Sequence, residues 1–267
     1  MLCQMLISRI GSTARAGIGY RNFENEGTMV NASKVSEPPE KMLAKIDIFV
    51  GLSVEELRIL ARRCQWREYG TNQLIIEYDE ESKDVFFVTR GRVRVMRFSA
   101  SGREVAFQDL VAGQIFGDFS AIDGNLRSAS VVAIADSLIA SISACQFREI
   151  LRQYECVNSA MLKRLVEMAR VLSDRVFEFS TLAVRNRIHA ELLRLAHQSA
   201  QGNNIASICP APTHTDIANR ISTNREAVTR ELNNLARVGV IEKRRGMLVV
   251  RDVRALATIV REANPEL

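Results

Sequence analysis

An α+β chain is expected, with a β-roll first, one long helix next and a small helical domain with a two-stranded wing last. Three observations predict it. Apolar spacing is strand-like after Gly70 and becomes helical near residue 158. Residues 213–236, THTDIANRISTNREAVTRELNNLA, read as two short amphipathic helices around a tight turn. The net charge of +5 lies wholly in the last third: from Ala183 onward there are 13 Lys/Arg against 8 Asp/Glu, leaving 23 against 23 before it.

Residues 1–40 carry Arg9, Arg15 and Arg21 ahead of their first acid, and Pro38-Pro39 near their end. We read them as a flexible extension or the product of an upstream start; an organelle transit peptide is the competing reading. Residues 41–157 are expected to form the roll. Ser53-Val54-Glu55-Glu56 is a capping box that starts a helix over Leu57, Leu60 and Ala61. Asp84–Thr89, Arg92–Arg97 and Glu104–Phe107 read as strands, the last two joined at Ser101-Gly102. Short strands follow at Leu110, Ile115-Phe116 and Val131–Ile134.

Within the roll lies Gly113–Ala129, GQIFGDFSAIDGNLRSA. Gly117 lets the backbone approach a ligand. Asp118 can accept from a sugar hydroxyl, and Arg127 offers a planar charged fork for a phosphate, with Ser128 as a further donor. A structural ion pair between Asp118 and Arg127 explains the spacing equally well.

Residues 158–182 predict a long helix. Met161, Leu165, Met168, Leu172, Val176 and Phe179 recur at a/d-like intervals, a seam for a second copy, while Leu162, Val166 and Phe177 lie off it and suit packing on the roll. A helix packed only on its own roll is the alternative.

In residues 183–267, Arg187–Ala196 is helical and Gly202, Pro210 and Pro212 break the following stretch. Ile217, Ala218 and Ile221 face inward in a first helix; Ser222-Thr223-Asn224 turns, with Asn224 or Thr223 as cap; Ala227, Val228, Leu232 and Leu235 face inward in a second. Arg225, Glu226, Thr229 and Arg230 then point out from the start of that helix, where a recognition helix meets base edges. Arginine pairs bidentately with guanine and glutamate accepts from cytosine N4. Thr213, Thr215, Asn219 and the basic pair Arg244-Arg245 can reach the phosphates, and Asn224 is counted with the DNA-binding residues. Val240-Ile241 and Met247–Val250 make the wing.

These motifs resemble the cyclic-AMP receptor protein/fumarate–nitrate regulator superfamily of bacterial transcription regulators. Gly113–Ala129 is similar to the phosphate-binding cassette of cyclic-nucleotide-binding domains, and Arg225, Glu226 and Arg230 match the R-E-x-x-x-R of the family's winged helix-turn-helix. The resemblance covers residues 41–255. It implies a cyclic nucleotide, cAMP or cGMP, as effector, held by Gly117, Asp118, Phe119, Ser120, Arg127 and Ser128, with Leu172 and Ser173 at the base. Asp118 stands where the family has Glu, and Leu172 where it has Thr, which leaves adenine and guanine both open. It further implies a homodimer on double-stranded operator DNA with TGTGA-like half-sites, RNA polymerase as a partner and a cytoplasmic setting.

Another effector, or constitutive activity, is the alternative. An iron–sulfur version needs a cysteine cluster, whereas Cys3, Cys64, Cys145, Cys156 and Cys209 are scattered. A haem or gas-sensing version wants a ligand in the roll; His189 and His197 come much later, which leaves a cysteine as the ligand for that alternative. No metal and no membrane span are expected, and no nucleophile–base pair that would make the chain an enzyme.

Overall fold

The structure is a computed structural model that describes residues 27–30, 37–99, 104–199 and 204–263. Most of the 1–40 extension, Cys3 and the Ser101-Gly102 turn lie outside the described residues. The chain divides into two units, Met1–Ala160 and Met161–Leu267.

The N-terminal unit contains β1 (Thr28–Met29), α1 (Pro39–Leu43), a 3₁₀ turn (Asp47–Phe49) and α2 (Val54–Arg63). The predicted capping box is present: the Ser53 hydroxyl accepts from the Glu56 amide, and the Ser53 amide donates to Glu56 Oε2. The roll is β2 (Gln65–Tyr69), β3 (Leu74–Ile76), β4 (Val85–Arg90), β5 (Arg92–Phe98), β6 (Glu104–Val111), β7 (Ile115–Phe116), β8 (Ser130–Ala133) and β9 (Ser137–Ile142). Two sheets result, ordered β1-β2-β9-β4-β7 and β3-β8-β5-β6. Val88, Val93, Leu110, Phe116, Val131 and Ile139 belong to one buried cluster. The predicted hairpin is β5–β6, paired from Arg92↔Val111 to Phe98↔Glu104 with one irregularity at Val95/Met96.

Two features differ from expectation. Thr28–Met29 belongs to the sheet although it lies in the segment read as a flexible extension, pairing Thr28↔Glu68 and Met29↔Arg67. Its backbone covers the open edge of β2, which would otherwise present unpaired donors and acceptors. The cassette is also helical: α3 (Asp118–Asp123) runs between two left-handed glycines, Gly117 and Gly124.

After α4 (Ala144–Gln153), α5 (Glu155–Thr181) is one helix of 27 residues. Of the predicted seam, Leu172, Val176 and Phe179 are open, Leu165 and Met168 are half-buried and Met161 is buried, while Leu162 (58% exposed), Val166 (54%) and Phe177 (37%) are open as well. Spacings of three and four share one helical face only approximately. Val157 and Met161 therefore turn inward together, and the open stripe begins one residue later, at Leu162.

The C-terminal unit adds α6 (Val184–Ser199), β10 (Ala206–Ile208), α7 (His214–Arg220), α8 (Arg225–Arg237), β11 (Ile241–Arg244), β12 (Met247–Val250) and α9 (Val253–Ala263). The wing strands are joined by β10 in a sheet ordered β10-β12-β11. Ile188, Leu192, Ile217, Val228, Leu232 and Leu256 share its core. Among the described residues, no helix is long and apolar enough to cross a membrane, and no group of three His, Cys, Asp or Glu could hold a metal ion.

Candidate nucleic-acid interface and ligand cassette

In the C-terminal unit the reader is built by its caps. The Thr213 hydroxyl accepts from the Asp216 amide at 3.0 Å and donates to Asp216 Oδ2 at 2.7 Å, a full capping box on α7. Asn224 Oδ1 accepts from the Ala227 amide at 2.8 Å and starts α8. Between them Ser222 takes a left-handed φ of 53°, and the Thr223 amide donates to Ala218 O. Val228, Leu232 and Leu235 are buried. Arg225, Glu226 and Arg230 remain exposed on the outer face of α8, as the spacing requires. Thr213→Ala is expected to cost about 1 kcal/mol of stability through the lost cap; unchanged denaturant unfolding would refute this.

The other expected DNA contacts are partly committed to the protein. Thr229 is half-buried: its hydroxyl donates to Arg225 O at 2.9 Å and meets His214 Nδ1 at 2.7 Å. Arg244 pairs with Glu242 at 2.8 Å, and Arg251 reaches the same carboxylate at 2.7 Å. Exposed pairs of this kind exchange readily for another anion. Arg245 and Thr215 are exposed.

Two groups under the reader were not signalled by spacing. Glu231 lies on the inner side of α8, where His189 Nε2 is 2.7 Å and Arg185 Nε 3.1 Å from Oε1. Burial pushes its carboxyl upward, but the hydrogen bonds from His189 and Asn234 and the positive charge of Arg185 outweigh this and hold it below the usual value. The second is an ionic cluster. Glu191 receives Arg194 at 3.0 Å, Arg220 at 3.4 Å and Arg175 at 3.9 Å, while Glu178 also binds Arg194, at 2.7 Å. The C-terminal part of α5, α6 and α7 are thereby tied together.

In the N-terminal unit, the cassette arginine is turned into the protein. Arg127 is 2% exposed. Its Nε donates to Ser82 Oγ (3.0 Å), Nη1 to Gly117 O (2.9 Å) and Nη2 to Asp84 O (2.8 Å). Burial lowers its pKa, opposed by the charges of Glu80, Asp84 and Asp118. Gly117 has φ +78°, and a Cβ there would lie 2.8 Å from Asp84 O and 2.9 Å from Arg127 Nη1, so only glycine fits. Asp118 is buried, Phe119 is 40% exposed, and the Ser120 hydroxyl donates to Leu126 O. Ser128 is exposed. The residues thus suit a small phosphodiester in kind, with a glycine cradle and an arginine, but three of the guanidinium donors are already committed to the chain. Leu172 and Ser173 are exposed on α5 in the other unit, and the Ser173 hydroxyl bonds back to Ala169 O.

The comparisons agree with this architecture. Residues 66–154 match the cyclic nucleotide-binding domain family and residues 186–259 the Crp-like helix-turn-helix domain family. The cyclic AMP receptor protein of Thermus thermophilus is 30% identical over 217 residues, covering 79% of this chain and 95% of that protein. The cAMP-activated global transcriptional regulator CRP of Escherichia coli is 28% identical over 196 residues, covering 72% and 91%. A CooA mutant from Carboxydothermus hydrogenoformans shares the fold, with a TM-score of 0.66 and 21% identity over 74% of this chain and 88% of that one. With both domains matched in order, the chain belongs to the cyclic-AMP receptor protein/fumarate–nitrate regulator superfamily of transcription regulators.

Proposed function

We propose that the protein acts as a homodimer that reads two-fold operator DNA through α8 and is switched by a cyclic nucleotide bound in the roll. The observation that carries the DNA reading is the exposed set Arg225, Glu226 and Arg230 at the start of a helix whose opposite face is buried. Two-fold symmetry is supported by the apolar stripe Leu162, Val166, Leu172, Val176 and Phe179 left open on α5, which a second copy would cover. Two readers then meet adjacent major grooves, on TGTGA-like half-sites, as the resemblance implies. The reading places the protein in the cytoplasm, with RNA polymerase as its further partner.

Switching requires the ligand to prefer the DNA-competent arrangement, because equal affinity for both shifts nothing. cAMP and cGMP both suit the cassette. The commitment of Arg127 to Ser82, Gly117 and Asp84 favours a second reading, a regulator with another effector or with none. A mobility shift on a TGTGA-type palindrome with no nucleotide, cAMP or cGMP separates them. A nucleotide-dependent shift is expected; an identical shift in every lane selects the second reading, and no shift in any lane refutes the operator assignment.

Glu226→Ala is expected to cost about 1–3 kcal/mol on the palindrome and little on random duplex. Equal losses on both would reduce Glu226 to a bystander of the backbone contacts.

A further inference from the structure

Thr213, His214, Thr215 and Arg225 line one depression on the C-terminal unit. Side chains from two helices meet there through a short hydrogen-bonded chain, from His214 Nδ1 to Thr229 Oγ1 (2.7 Å) and from Thr229 Oγ1 to Arg225 O (2.9 Å). A hydroxyl has a single hydrogen, and the Thr229 hydroxyl spends it on the carbonyl. Toward His214 it can only accept. The network therefore assigns the imidazole hydrogen to Nδ1.

This tautomer has a chemical consequence. With Nδ1–H turned to Thr229, the other ring nitrogen, Nε2, carries a lone pair when the ring is neutral. A DNA phosphate oxygen is also an acceptor, so the neutral ring is mismatched to the one anion that a reader on this face would meet. A single proton on Nε2 converts repulsion into a charge-assisted hydrogen bond without disturbing Thr229.

The surroundings disfavour the charged ring in the free protein. Burial holds His214 below the ordinary histidine value, reinforced by Lys243 on β11 and Arg225 on α8. On its own helix, the Asp216 carboxylate is held by the Thr213 amide and hydroxyl. Lys243 donates to Asn233 Oδ1 at 2.8 Å. A phosphate placed among Arg225, Lys243 and His214 reverses the local balance and favours the imidazolium.

We propose that His214 is a proton-linked contact to the DNA backbone: each protomer takes up one proton at His214 Nε2 as the duplex binds, and the imidazolium donates to a phosphate. The proposal rests on the reading of α7 and α8 as the DNA reader and adds to it a pH dependence of binding. The sign is fixed by the two states. The free ring titrates below the ordinary value and the bound ring higher. In the window between them affinity falls as pH rises, by up to about tenfold per pH unit for each protomer.

The test uses the full chain, a TGTGA-type palindrome and a random duplex of equal length at low salt. Affinity is followed against pH, and calorimetry in two buffers of different ionisation enthalpy counts the protons taken up. A phosphate contact ignores base sequence, so uptake is expected on both duplexes. His214→Asn, which keeps a donor toward Thr229, is expected to bind more weakly below neutral pH and to lose the uptake. His214→Arg, permanently charged, is expected to bind with no such pH dependence. Uptake that is equal in the wild type and His214→Asn overturns the proposal while leaving the DNA reader intact. Failure of the wild type to bind either duplex at any pH overturns both.

Discussion

Glu191→Gln is expected to lower the stability of the C-terminal unit by about 3–5 kcal/mol, the usual cost of removing one partner from a buried charge cluster. The Glu191 side chain is 2% exposed and faces Arg175, Arg194 and Arg220. The amide keeps the shape and removes the charge, so three guanidinium groups are left with Glu178 as their acidic neighbour in this cluster. Arg220 is the last residue of α7, so the same change loosens the first helix of the reader from α6 and the end of α5. The effect should appear as a drop of about 10 °C or more in the melting of that unit. A double-mutant cycle with Arg220→Gln should return a coupling of about 0.5–3 kcal/mol. A Glu191→Gln protein that melts with the wild type would show that the cluster contributes nothing net.

This cluster also marks where the sequence stops being informative. Arg175, Glu178, Glu191, Arg194 and Arg220 stand on three helices, and each alone reads as an ordinary surface charge; only the packing brings them together. By contrast, elements with a local cause were legible. The capping box at Ser53, the alternation through Arg92–Arg97 and the turn at Ser222–Asn224 all act over a few residues, and all appear in the fold. β9 escaped because all six of its residues are buried, so it shows no alternation to detect. At the DNA face, the outward residues Arg225, Glu226 and Arg230 follow from helical spacing, while the roles of Thr229 and His214 depend on a contact between two helices. The cassette was legible as a motif but not in its bonding, since two of the three partners of Arg127 are backbone carbonyls.

That bonding sets the outcome of Arg127→Ala, which is expected to destabilise the N-terminal unit by about 5 kcal/mol or more and to remove nucleotide binding as well. A hydrogen bond from a charged donor is worth about 1.5–3 kcal/mol, and an acceptor stranded by truncation adds its own desolvation cost. Arg127 supplies three such bonds, joining the start of α3 to the segment from Ser82 to Asp84 ahead of β4. Loss of nucleotide response in this variant is therefore ambiguous unless stability is measured beside it, because a loosened roll and a missing phosphate ligand both abolish binding. Arg127→Lys separates the two: it keeps a positive charge but cannot span three acceptors with a planar fork. If the arginine serves a ligand, the lysine variant should retain weak heat of binding for cAMP or cGMP below its melting temperature, and the alanine variant none. If it serves only the fold, the wild-type protein itself should give no heat with either nucleotide, while both variants melt early. An alanine variant that melts with the wild type would contradict the bonding on which either outcome depends.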